Sequence, residues 1–150
     1  MQLGFKIKHH FFNAFRELFV HHHGSLEFRA KIFALIISVN EHINEDIFTI
    51  VKDISLNIYD GNDDRANLLM MSTKELVQKV TDDNGLDVDS LIISIQKELK
   101  IVPRYAKKID IKALTPLVNL TRDPDTLAYQ KNILEFLQKT KDDILAVTKL

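Results

Sequence analysis

Histidine is the side chain in this sequence best suited to hold a transition metal. Five of the six, His9, His10, His21, His22 and His23, fall near the start of the chain, with His42 apart. On a helix, consecutive residues point about 100° apart, so the run His21-His22-His23 cannot converge on one ion. No pair has the i, i+4 spacing of a helical zinc site, and the cluster reads as a polar helix end. The acidic loops Asp60–Asp64 and Asp82–Asp89 fail as EF-hands. Counting back from Gly61 or Gly85 as the sixth position puts Leu56 or Val80 where the first carboxylate must stand. Motifs for phosphate loops, His-Glu-x-x-His zinc enzymes and nucleophile elbows are missing, and four glycines leave little material for a phosphate cradle. Serine, histidine and aspartate are present without a spacing that suggests a catalytic group. A basic stretch, Lys97, Lys100, Arg104, Lys107, Lys108 and Lys112, encloses Pro103 and Tyr105 and is relieved by Glu98 and Asp110. It suits an anionic partner or a nucleic-acid backbone, but a solvated face is the plainer reading.

The elements that must carry these residues are helices. Ile32 to Ile37 is an unbroken apolar run, and from Ala30 to Val39 the only polar side chains are Lys31 and Ser38. Such a helix is apolar on every side and needs helical neighbours all round. After the turn Asn40–Asn44, Ile47, Ile50, Val51, Ile54 and Ile58 recur on one face of a second helix. Val88, Leu91, Ile92, Ile95, Leu99 and Val102 mark another amphipathic helix, closed by Pro103. Ser25 is a candidate N-cap for the apolar helix, Asn44 for the one after it, and Gly24 ends a helix from about His9 to His22. Ser72-Thr73-Lys74-Glu75 has capping-box spacing, which predicts a break at Ser72. Asp110 and Thr115-Pro116 predict restarts, and Asp123-Pro124 opens a last long helix reaching about Lys139 or beyond. The expectation is an all-α single domain of seven to eight helices.

Composition agrees. The chain has 150 residues, 45% hydrophobic and 27% charged, enough for one real core. Twenty Lys and Arg nearly cancel 21 Asp and Glu, which argues against a general nucleic-acid binder. The longest apolar run falls far short of the ~18 residues that span a bilayer. His9, His10, Asn13, Arg16 and Glu17 interrupt any secretory h-region, and cysteine is absent, so a cytoplasmic protein is expected.

Two hairpins echo one another, Phe33–Ile54 and Leu114–Leu137. The first, through Phe33-Ala34-Leu35-Ile36-Ile37-Ser38-Val39-Asn40-Glu41-His42-Ile43-Asn44-Glu45-Asp46-Ile47, resembles the TerB-like (tellurite-resistance) helical domain. In that family an apolar helix ends in an acidic turn, usually Ala-Asp-Gly, then Ile and a Glu that opens the next helix. Asn40 stands at the aspartate, Glu41 at the glycine, Ile43 at the isoleucine, and Glu45 or Asp46 at the helix-opening acid. Leu117–Leu127 is the second copy, with Asp123 and Asp125 as its acids and Pro124 where a glycine is expected. The resemblance covers about residues 26–140. It implies a TerB-like core over 25–140, flanked by a Phe-rich N-terminal helix (1–24) and a C-terminal extension (141–150).

The resemblance also implies a stress-response or protein-interaction role. Its paired turns would bring Glu41, Glu45, Asp46, Asp123 and Asp125 around a divalent cation, Ca2+ or Mg2+; acids at helix starts serve equally as caps. The His-Pro-Asp tripeptide of a J domain is absent, which leaves co-chaperone activity unsupported. A metal-dependent enzyme using those acids is the alternative. The N-terminal stripe Phe11, Phe12, Phe15 and Phe19 reads as core, as an interface to a protein partner or second copy, or as a peripheral membrane anchor beside Lys6, Lys8 and Arg16.

Overall fold

The computed structural model describes residues 24–82 and 86–148. The Phe-rich segment, with Phe11, Phe12, Phe15 and Phe19 and five of the histidines, lies outside the described residues. Those described form α1 (Gly24–Ser38), α2 (Asp46–Ile58), α3 (Asp63–Thr81), α4 (Val88–Ile101), a 3₁₀ turn (Pro103–Lys108), α5 (Ile111–Asn119) and α6 (Pro124–Thr148). No strand occurs among them. No helix among them is long and apolar enough to cross a membrane.

The apolar run of α1 makes it the centre. Leu26, Phe28, Ala30 and all of Ile32–Ile37 are buried, and α3, α4, α5 and the 3₁₀ turn pack around it. Each large side chain so buried contributes roughly 1.5–3 kcal/mol. Lys31, the one charge inside the run, is answered from α4: its Nζ donates to Ser94 Oγ at 2.9 Å and lies 3.0 Å from Glu98 Oε2. Leu91, Ile95 and Leu99 form the buried stripe of α4, with Val88, Ile92 and Val102 half-buried beside them.

Local chemistry sets the element ends. Asp60 and Gly61 take positive φ, 53° and 84°, and Gly61 N–H donates back to Leu56 O at 2.8 Å, closing α2. Asn62 Oδ1 then accepts from Arg65 N–H to start α3. Asp87, Asp110 and Asp123 cap α4, α5 and α6 through Ser90, Ala113 and Thr126 N–H.

Four boundary expectations need correction. Glu45, not Asn44, stands at the N-cap of α2, and Asn44 Oδ1 accepts Asp46 N–H at 3.0 Å from one position earlier. Gly24 and Ser25 already belong to α1, so Ser25 is not its N-cap. Helix α3 runs unbroken through Ser72: Ser72 and Thr73 are buried, and the Thr73 hydroxyl donates to Leu69 O at 2.8 Å within the helix. The other half of the expected capping box, Glu75, lies 3.5 Å from Lys79 one turn on. Pro116 does not restart a helix; it sits inside α5, where Thr115 hydroxyl donates to Ile111 O. The last helix passes Lys139 and reaches Thr148, its later turns linked by Gln138–Asp142 and Lys139–Asp143 contacts.

Candidate functional site

The two hairpin turns meet. Residues of the first (Asn40, His42, Asn44) and of the second (Leu120, Thr121, Arg122) line one cleft of about 380 Å³, together with Ile47, Ile50 and Leu117. This accounts for a difference on α2. Ile47 and Ile50 are half-buried along the cleft, while Phe48, Val51 and Ile54 face the core.

Across that cleft the carboxylates do not gather. Of Glu41, Glu45, Asp46, Asp123 and Asp125, only Asp46 lines it. Glu45 turns to α3 and pairs with Lys74 at 3.0 Å, and that ammonium also sits 5.6 Å from the Phe48 ring centroid. Asp123 folds onto its own helix, where Oδ2 accepts from Thr126 N–H at 2.9 Å and Thr126 Oγ1 at 2.8 Å. The backbone bond above all, and then the hydroxyl, holds the Asp123 carboxyl below the usual carboxylate range. Asp125 is exposed on the first turn of α6, and Glu41 is exposed in the turn. Among the described residues no three His, Asp or Glu side chains stand close enough to hold a metal ion. The expected cation set is therefore not assembled. Arg122 brings a positive charge to the cleft instead.

Asn40 illustrates why. Its N–H and Nδ2 both donate to Ile37 O, at 3.1 and 3.0 Å, so the residue at the motif's aspartate position closes the end of α1. Gln130 of α6, with no exposed surface, donates from Nε2 to Ile36 O at 3.1 Å. One hairpin thus satisfies the orphan carbonyl of the other. Sequence reading missed Gln130, since an isolated glutamine in an amphipathic helix is ordinarily assigned to solvent.

A second concavity lies between α4 and the C-terminal half of α6. It is an open, largely apolar groove of about 520 Å³, with Leu99, Pro103, Ile144 and Val147 among its walls and Lys100 and Asp143 at its edges. Val147 is 82% exposed, and Ile101, beside Lys100, is 79% exposed. Gly24 bears directly on Tyr105 of the 3₁₀ turn, so the chain enters α1 beside the turn that begins at Pro103. No family model, curated protein or solved structure matches this chain.

Proposed function

We propose that this protein is a TerB-like helical interaction module that works without catalysis, by receiving an apolar helix face in the α4–α6 groove. The occupant we assign is the Phe11, Phe12, Phe15 and Phe19 stripe of a second copy. The observation that carries this reading is the groove itself, an apolar trough that leaves Val147 of its wall in water. A helix with a phenylalanine face is the kind of ligand such a trough takes. The stripe precedes Gly24, which packs beside Tyr105 of the 3₁₀ turn whose first residue, Pro103, lines the groove. The two hairpin turns facing one cleft support the TerB-like part of the reading.

Light scattering coupled to size exclusion tests it, on the full chain, on a chain lacking residues 1–23, and on full-length Ile144→Glu. The expected result is a full-length dimer, with both variants folded by circular dichroism and monomeric. A full-length monomer overturns the reading, as does a dimer that Ile144→Glu leaves intact. The Ile144 variant keeps the test decisive should the shortened chain fail to fold.

A further inference from the structure

Cations from three separate elements share one face of the molecule. Arg29 of α1 and Arg65 of α3 both hold their guanidinium groups over the Tyr59 ring, 5.7 and 4.9 Å from its centroid. Arg29 and Lys108 line one shallow depression, together with Ile58, Asp110 and Leu114. Arg104 lies over the ring of Tyr105, 5.7 Å from its centroid, and stands with Lys107 and Lys108 in the 3₁₀ turn. Burial first, then the positive charges of Arg29, Arg104, Arg65 and Lys107, pull the Lys108 ammonium below the ordinary lysine range.

This grouping is not the by-product of a basic chain, whose formal net charge is −1. Five lysines elsewhere find carboxylates: Lys31 with Glu98, Lys52 with Asp63, Lys74 with Glu45, Lys79 with Glu75, and Lys139 with Asp143. Among the described residues no ion pair holds Arg29, Arg104, Lys107 or Lys108. Asp110, whose Oδ1 accepts Ala113 N–H as the cap of α5, is the one carboxylate that lines the depression. Beneath the two guanidinium groups the Tyr59 hydroxyl has neither solvent contact nor a hydrogen-bond partner. Arg29, Arg104, Lys107 and Lys108 together outnumber the single Asp110 carboxylate, and an anion offsets the excess positive charge.

The depression measures only about 10 Å³, so the ligand rests on the patch and is not engulfed. That favours a compact group with concentrated charge. Planar guanidinium forks beside point-charge ammoniums are the combination that matches phosphate oxygens. We propose that Arg29, Arg104, Lys107 and Lys108 form a surface site for a phosphate monoester, with the Tyr59 ring positioning Arg29. The site shares no lining residue with the α4–α6 groove, and it stands or falls separately from the dimer.

The test uses the full chain, with glycerol 3-phosphate as a soluble monoester and phosphatidylcholine vesicles with and without phosphatidate as a lipid one. Nuclear magnetic resonance should show glycerol 3-phosphate shifting the signals of Arg29 and Lys108, with affinity falling as salt rises. Arg29→Gln and Lys108→Gln should each weaken binding about tenfold, a step of the size expected for one charge-assisted contact. Lys139→Gln should leave it unchanged. Calorimetry at alkaline pH should show proton uptake on binding, because an anion beside Lys108 restores its charge. Binding of both monoesters supports a soluble ligand, and binding of phosphatidate vesicles alone supports a lipid headgroup. Silence from both overturns the proposal, as does equal binding of poly-glutamate or undiminished binding by the Arg29→Gln, Lys108→Gln double variant.

Discussion

At the scale of single residues, the side chain with the largest consequence is Gln130. It has no exposed surface, and its Nε2 supplies the hydrogen bond that Ile36 O cannot obtain within α1. Gln130→Glu replaces that donor with a carboxylate facing a carbonyl oxygen. We expect the variant to lose at least about 2 kcal/mol in urea unfolding at neutral pH, the cost of a buried unsatisfied and charged group. Acidification should return part of the loss, because a protonated carboxyl can donate to Ile36 O. A variant as stable as the parent at neutral pH would mean that the carbonyl finds another donor. Lys31 teaches a related lesson. A lysine inside an apolar run looks misplaced until Ser94 and Glu98 appear opposite it. Both partners lie more than sixty positions away, and no periodicity reports such a pairing.

The elements were legible where one force dominated. Leu91, Ile95 and Leu99 repeat on one face and Pro103 follows the end, so the span of α4 could be drawn from sequence, although its Asp87 cap came only with the structure. Legibility failed where tertiary packing outweighed a local signal. The hydroxyls at Ser72 and Thr73 satisfy a capping pattern in the sequence. Within the fold they are buried mid-helix, and the Thr73 hydroxyl turns back on Leu69 O. Pro116 repeats the point, since packing of Leu114, Leu117 and Val118 holds α5 together around a residue that lacks an N–H for the Lys112 carbonyl. Being exposed, Pro116 can be replaced without disturbing the core. Pro116→Ala should therefore raise stability by about 1–2 kcal/mol, the helix gain less the entropy returned to the unfolded chain. An increase in the urea midpoint at constant slope is the readout. A decrease would show that the proline ring itself is required by its neighbours.

Across the whole molecule, the sequence conveyed an all-helical fold with α1 at its centre, but only half of what its surfaces offer. The acids of the two turns look convergent along the chain. In space Asp123 is drawn to Thr126 and Glu45 to Lys74, Glu41 and Asp125 stay exposed, and of the five only Asp46 lines the cleft between the turns. Of the basic patch, Arg104, Lys107 and Lys108 were visible as part of a run, whereas Arg29 and Arg65 join it through the packing of α1 and α3 around Tyr59. The groove between α4 and α6 was hidden for the same reason. It is a property of two helices that pack through the 3₁₀ turn, not of either sequence alone.

The chain has no tryptophan and three tyrosines, which makes Tyr59, with its buried hydroxyl and two guanidinium groups at its ring, a spectroscopic handle on the fold. Burial raises the pKa of Tyr59 above the ordinary tyrosine value, and the charges of Arg29 and Arg65 offset only part of that rise. A group whose proton is held more tightly in the folded chain supports the fold below its unfolded pKa, about 10. That support is lost as pH climbs through the folded value. The molecule should thus unfold in base, with late phenolate absorbance from Tyr59 appearing together with the loss of helix signal. Tyr59→Phe, which has no proton to release, should keep its helices to higher pH than the parent. If the two chains lose structure at the same alkaline pH, Tyr59 is not the trigger.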